Sequence, residues 1–90
     1  MDYIEAINQA GMNCLMAENE LSMHRLMGGL GTRKMKAAKE THEAAMKALF
    51  DVLRASGRTV EELETLRDEN GNSPFTYGIL EMLRRDFGKY

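Results

Sequence analysis

The chain predicts an all-α fold: a long antiparallel helical hairpin followed by two shorter helices. Three observations carry this expectation. Apolar residues recur at three- and four-residue steps through two long stretches, residues 2–27 and 32–56. A short glycine-rich corner, "MGGLGTRK" at 27–34, separates them. The alternation of β-branched and aromatic residues that marks a strand is missing.

The first helix is predicted over about 2–27. Asp2 can cap it, with Glu5 three residues on completing a capping-box pattern. Ile4, Ile7, Ala10, Gly11, Cys14 and Leu21 form one apolar stripe, and Met12, Leu15, Met16, Met23, Leu26 and Met27 form a second. Glu18 and Ser22 interrupt them. Apolar surface over more than half the circumference implies burial on more than one side. This helix is therefore central to the fold or shared with a partner.

The second helix is predicted over about 32–56, with Thr32 as its cap. Met35, Ala38, His42, Ala45, Leu49 and Val52 keep a three-four spacing, which Met46, Phe50 and Leu53 widen. Five alanines between 37 and 48 favour helix and allow close approach. Gly57 ends the helix by taking the left-handed conformation that other residues avoid. The third helix, about 59–69, opens on Thr59 and Glu62, a second capping box, and Gly71 follows its end. The fourth, about 73–87, is predicted to start with Ser73 as cap and Pro74 in the first turn. Phe75, Ile79, Met82, Leu83 and Phe87 would form its buried stripe, with Gly78 inside the helix.

Ninety residues, 43% hydrophobic and 29% charged, suit one folded domain spanning 1–90. A net charge of −2 argues against generic nucleic-acid binding by the whole molecule. No apolar run approaches the ~20 residues of a membrane span, and the opening residues are acidic and polar, unlike a secretory signal. The single cysteine, Cys14, excludes an internal disulfide and a cysteine zinc site, and suits a reducing cytoplasm.

The glycine corner raises the question of phosphate binding. A Walker loop needs Lys-Ser/Thr after its last glycine and a preceding strand; here Thr32 follows Gly31 and a helix precedes. A dinucleotide fingerprint needs a third glycine where this chain has Lys34. The corner therefore reads as the turn of a helical hairpin. Beside it, Thr32, Arg33, Lys34, Lys36 and Lys39 crowd the start of the second helix, where exposed N–H groups and cations attract anions.

No catalytic constellation is apparent. His24 and His42, placed across a hairpin turning near residue 30, would sit on the order of 10 Å apart along the axis at ~1.5 Å per residue. A shared metal needs ligands about 2 Å away, so neither a metal nor a cofactor is expected. His24 is read as solvent-exposed and His42 as a core histidine bonded to Glu18. Cys14 is read as a buried structural thiol, and Ser22, Ser56 and Ser73 lack a nucleophile-elbow context. A helix-turn-helix spanning the last two helices would place Arg67 and Asn72 where small or apolar residues belong. It would also leave its reading helix without base-reading side chains.

The sequence thus predicts a small regulatory or interaction protein, not an enzyme, of a compact bacterial or phage style. It would form a homodimer, or inhibit or adapt a larger protein partner, through Met12, Met16, Met23, Leu26 and Met27. The second reading is nucleic-acid or nucleotide binding through Thr32, Arg33, Lys34, Lys36 and Lys39. A third is an enzyme subunit that contributes helices to a shared site.

Overall fold

A computed structural model describes residues 2–26 and 32–87, with the backbone alone at Thr32. Four helices follow one another: α1 (Tyr3–Leu26), α2 (Thr32–Ser56), α3 (Val60–Thr65) and α4 (Ile79–Asp86). Helices α1 and α2 pack along each other as an antiparallel hairpin, and the two short helices close its open end. No strand occurs among the described residues. The glycines of the corner lie outside the described residues, as do Met27 and the Thr32 side chain.

The ends of the helices follow local chemistry. The Asp2 carboxylate accepts the Ile4 N–H at 3.1 Å, and its carbonyl accepts that of Ala6. Gly57 turns the chain out of α2 at φ +70°, and its N–H donates to the Arg54 carbonyl. Thr59 and Glu62 form the reciprocal capping box: the Thr59 side chain accepts the Glu62 N–H at 3.2 Å, and the Glu62 carboxylate accepts the Thr59 N–H. That reciprocity satisfies two donors at the start of α3 that the helix itself leaves unpaired.

Two predicted helices are shorter than their sequence pattern suggests. Helix α3 stops at Thr65 instead of running to 69, because Leu66 is extended and the chain then folds around Asp68. The Asp68 carboxylate accepts the N–H groups of Asn70 and Asn72 at 2.8 and 3.0 Å, and its N–H donates to the Asn72 carbonyl. An aspartate that bonds neighbouring amides offers the backbone an alternative to helix.

Helix α4 begins at Ile79, not at Ser73. Gly78 is its N-cap at φ +92°, a left-handed geometry that has no place inside a helix. Ser73 only accepts the Phe75 N–H at 3.4 Å. Residues 73–78 are held instead from across the fold: Asn8 on α1 donates to the Pro74 carbonyl at 2.9 Å and accepts the Thr76 N–H at 2.8 Å.

The core lies where all four helices meet. Ile7 and Cys14 of α1, Met46, Leu49, Phe50 and Leu53 of α2, Leu63 of α3, and Ile79 and Leu83 of α4 are fully buried. On α2 the residues expected to widen the stripe are its centre, whereas Ala45 and Val52 are only partly buried. Contact with the C-terminal helices explains the shift. At Gly11 the approach is close enough that a Cβ would stand 2.8 Å from the Ile79 side chain, so any larger residue would have to displace Ile79. Phe75 is buried as expected, although from a loop. Phe87, predicted to be buried, is 43% exposed; its ring meets Phe50 edge-on at 5.4 Å and lies under the Arg54 guanidinium at 5.7 Å.

The molecule is elongated, 46 × 25 × 22 Å with a radius of gyration of 14.5 Å, against about 12 Å for a compact chain of this length. The reason lies at the corner end of the hairpin. Between residues 19 and 41 the buried apolar side chains among the described residues are Leu21 and Ala38. There α1 and α2 have only each other.

Candidate functional site

Helix α1 is apolar on two sides, and only one of them is covered. At about 100° per residue, Met12, Met16, Met23 and Leu26 fall within an arc of about 80°. Ile7, Gly11, Cys14, Ala17 and Leu21, all buried, centre on the opposite side. The four outer residues are 41%, 65%, 54% and 86% exposed. Their face points away from α2 and from α4. The buried and the exposed apolar residues of α1 are thus set back to back, with Ile4 and Leu15 half-buried between them, and Ala17 joins the buried side.

The surroundings of this face are built by the elements on either side of α1. On one side a shallow groove runs between the long helices, floored by Ala17, Thr41 and Ala45 and rimmed by Asn13, Met16 and Glu20. It continues toward the corner past His24, Lys34, Ala37 and Ala38. On the other side the 73–78 segment lies along α1, with Gly78 close to the Leu15 side chain and Tyr77 exposed beside it. Asn19 sits near the midline of the outer face, exposed. It is absent from the sequence-predicted set, although the steps of four, three, four and three from Met12 through Met16, Asn19 and Met23 to Leu26 single it out.

The polar run Glu18, Asn19 and Glu20 is divided among three environments. Glu18 accepts a 2.6 Å bond from Arg85 of α4, which also pairs with the buried Asp86 at 2.7 Å. Those bonds to Asp86 and Glu18 push the Arg85 pKa further up, keeping its charge fixed. Glu20 lies 3.8 Å from His24. The Asn19 carboxamide has no hydrogen-bond partner among the described residues.

The pairing of Glu18 with Arg85 corrects the expectation for His42. Its Nε2 is buried, and among the described residues it has no hydrogen-bond partner. His24 is also less exposed than expected, with a side chain only 19% accessible at the edge of the groove. Cys14 is fully buried, and desolvation, reinforced by the charge of Glu18, pushes its thiol from 9.0 up to about 11. Among the described residues no three His, Cys, Asp or Glu side chains converge as a metal site would require, and no helix is long and apolar enough to cross a membrane.

The cations at the start of α2 are exposed but do not form one face. At about 100° per residue, Arg33, Lys36 and Lys39 fan across roughly a third of the circumference, while Lys34 lies apart and lines the groove with Glu20 and His24. Arg33, Lys36 and Lys39 thus share one side of α2, and Lys34 stands on another.

Compared with known protein families, curated proteins and solved structures, the chain matches none at a significant level.

Proposed function

We propose that this chain is a protein-interaction module, a regulator, inhibitor or adaptor, that binds another polypeptide through the outer face of α1. The observation that supports the reading is the exposed row of Met12, Met16, Met23 and Leu26 on the side of α1 facing away from the core. Large apolar side chains exposed singly are ordinary, but four gathered on one helix face, with Asn19 among them, mark an interaction surface. Methionine suits that use because its flexible, polarisable side chain adapts to a partner's shape. An apolar row along a helix is how helix-in-groove and helix-on-helix recognition present their anchors. The groove beside Met16, floored by small residues, gives a docking element room to settle against both long helices.

The test is a double substitution, Met16→Glu with Met23→Glu. Both side chains are more than half exposed, so helicity by circular dichroism and the unfolding midpoint are expected to stay close to wild type. Polypeptides retained by the tagged wild-type chain, untagged copies of itself included, should be lost from the variant. Retention of the same polypeptides by both chains would show that this face is not the binding surface.

A further inference from the structure

We infer that the outer face of α1 is a modification site for hydroperoxides, which convert Met12, Met16 and Met23 to sulfoxides and turn that face polar while the fold stays intact. That the change releases a bound polypeptide rests on the docking role proposed above; the oxidation itself does not.

The fold sorts its methionines into two sets. Met12, Met16 and Met23 are 41%, 65% and 54% exposed, whereas Met46 and Met82 are 0% and 2% exposed and Met35 is half-buried. At about 100° per residue the three exposed side chains lie within an arc of about 40°, one column along α1. A peroxide meets these sulfurs in the folded chain and reaches Met46 and Met82 only when the core opens. An oxygen on either buried sulfur would also set a polar group in hydrocarbon.

The competing sulfur is out of reach. The thiolate is the form of cysteine that reacts with peroxide, and Cys14 is the chain's single cysteine. It is fully buried, and burial, with the charge of Glu18, pushes its thiol up to about 11. At neutral pH it is both protonated and covered. Oxidant is therefore consumed by the exposed thioethers.

The reaction is a two-electron oxygen transfer. The thioether lone pair attacks one peroxide oxygen, and the S–O bond forms as the O–O bond breaks. The second oxygen takes the proton shed by the first and leaves as water, so sulfur is oxidised and the peroxide reduced. The product is a polar, chiral side chain in place of a flexible apolar one. Three of the four large apolar residues of the face are changed, and Leu26 alone remains. None of the three belongs to the core or packs against it, so the contacts of α1 with α2 and α4 do not depend on them. A dithiol enzyme of the methionine sulfoxide reductase class removes the oxygen as water, its two thiols closing to a disulfide, which makes the change reversible.

The test treats the full folded chain with hydrogen peroxide at neutral pH and follows each methionine by peptide mass mapping. Met16, Met23 and Met12 should gain oxygen at least about tenfold faster than Met46 and Met82, and all five should react at similar rates in denaturant. With the outer three oxidised, helicity by circular dichroism should be unchanged, and the chain should leave a hydrophobic-interaction column earlier. A Met12→Leu, Met16→Leu, Met23→Leu variant keeps the face apolar at nearly constant volume, and its retention should not shift on the same treatment. Met1, Met27 and Met35 remain in that variant, so any shift that arises from them persists in it.

Rates for Met46 or Met82 within about tenfold of the outer three in the folded chain would overturn the inference. So would oxidation of Cys14 ahead of them, loss of helicity when only the outer three are modified, or an equal retention shift in the leucine variant. Polypeptides held by the tagged wild type should be released on oxidation and kept by the treated leucine variant. If the oxidation pattern holds and the same polypeptides stay bound, the modification site stands and the docking role of this face falls.

Discussion

His42 lies on the inner face of α2 between Ala38 and Met46, both buried, with Nε2 unbonded among the described residues. A buried polar atom left unsatisfied costs about 1–3 kcal/mol, and an apolar replacement of similar size removes that cost. His42→Leu should therefore raise stability by about 1 kcal/mol in chemical denaturation; a loss would mean that the imidazole holds a bond the leucine cannot replace. Cys14 supplies a pH dependence. Its folded thiol is held up to about 11 against 9.0 when free, so above pH 9 the unfolded chain loses this proton first. The contribution is intact below pH 9 and is lost as pH rises toward 11, by up to about 1.4 kcal/mol per pH unit. Stability followed across that window should fall less steeply for Cys14→Ala than for wild type.

At the scale of elements, the 73–78 segment depends on one side chain. Asn8→Ala removes a donor from the Pro74 carbonyl and an acceptor from the Thr76 N–H. The expected loss is about 1–2 kcal/mol, and a stability equal to wild type would show that water replaces both bonds at no cost. These residues also explain which helices were legible. The capping box of Thr59 and Glu62 and the Gly57 stop are made by neighbours in sequence, and they stand where the sequence predicts. The start of α4 is set by Gly78, left-handed at φ +92°, while the segment before it is tied down by Asn8, far away in the chain. Ser73 and Pro74 are a valid helix signal that a tertiary bond overrides. For the candidate face, the sequence shows that α1 holds too much apolar surface for one contact. Which half is covered depends on where α2 and α4 settle. Asn19 reads in the sequence as one more polar residue between two glutamates. The four-three steps place it in the row, but that this row is the uncovered one emerges only once the covered side of α1 is known.

At the scale of the whole molecule, burial is uneven. The end of the hairpin that carries α3 and α4 holds nearly all the fully buried side chains, whereas the corner end is a pair of helices touching along one line. Local opening follows the density of buried contacts. Amide hydrogen exchange should therefore be fastest within α1 and α2 toward residues 20–26 and 32–40, and slowest around Cys14, Leu49 and Leu53. Uniform protection along α2 would contradict this gradient.

The tie between Asn8 and the 74–76 segment also bears on how the molecule is made. During vectorial synthesis the residues of the hairpin are joined before Pro74, Thr76 and Ile79. In that interval the Gly11 side of α1 lacks its α4 cover, so the nascent chain shows oily surface on both sides of its first helix. Cover for the Gly11 side of α1 therefore waits on the segment from Pro74 to Ile79, not on closure of the hairpin.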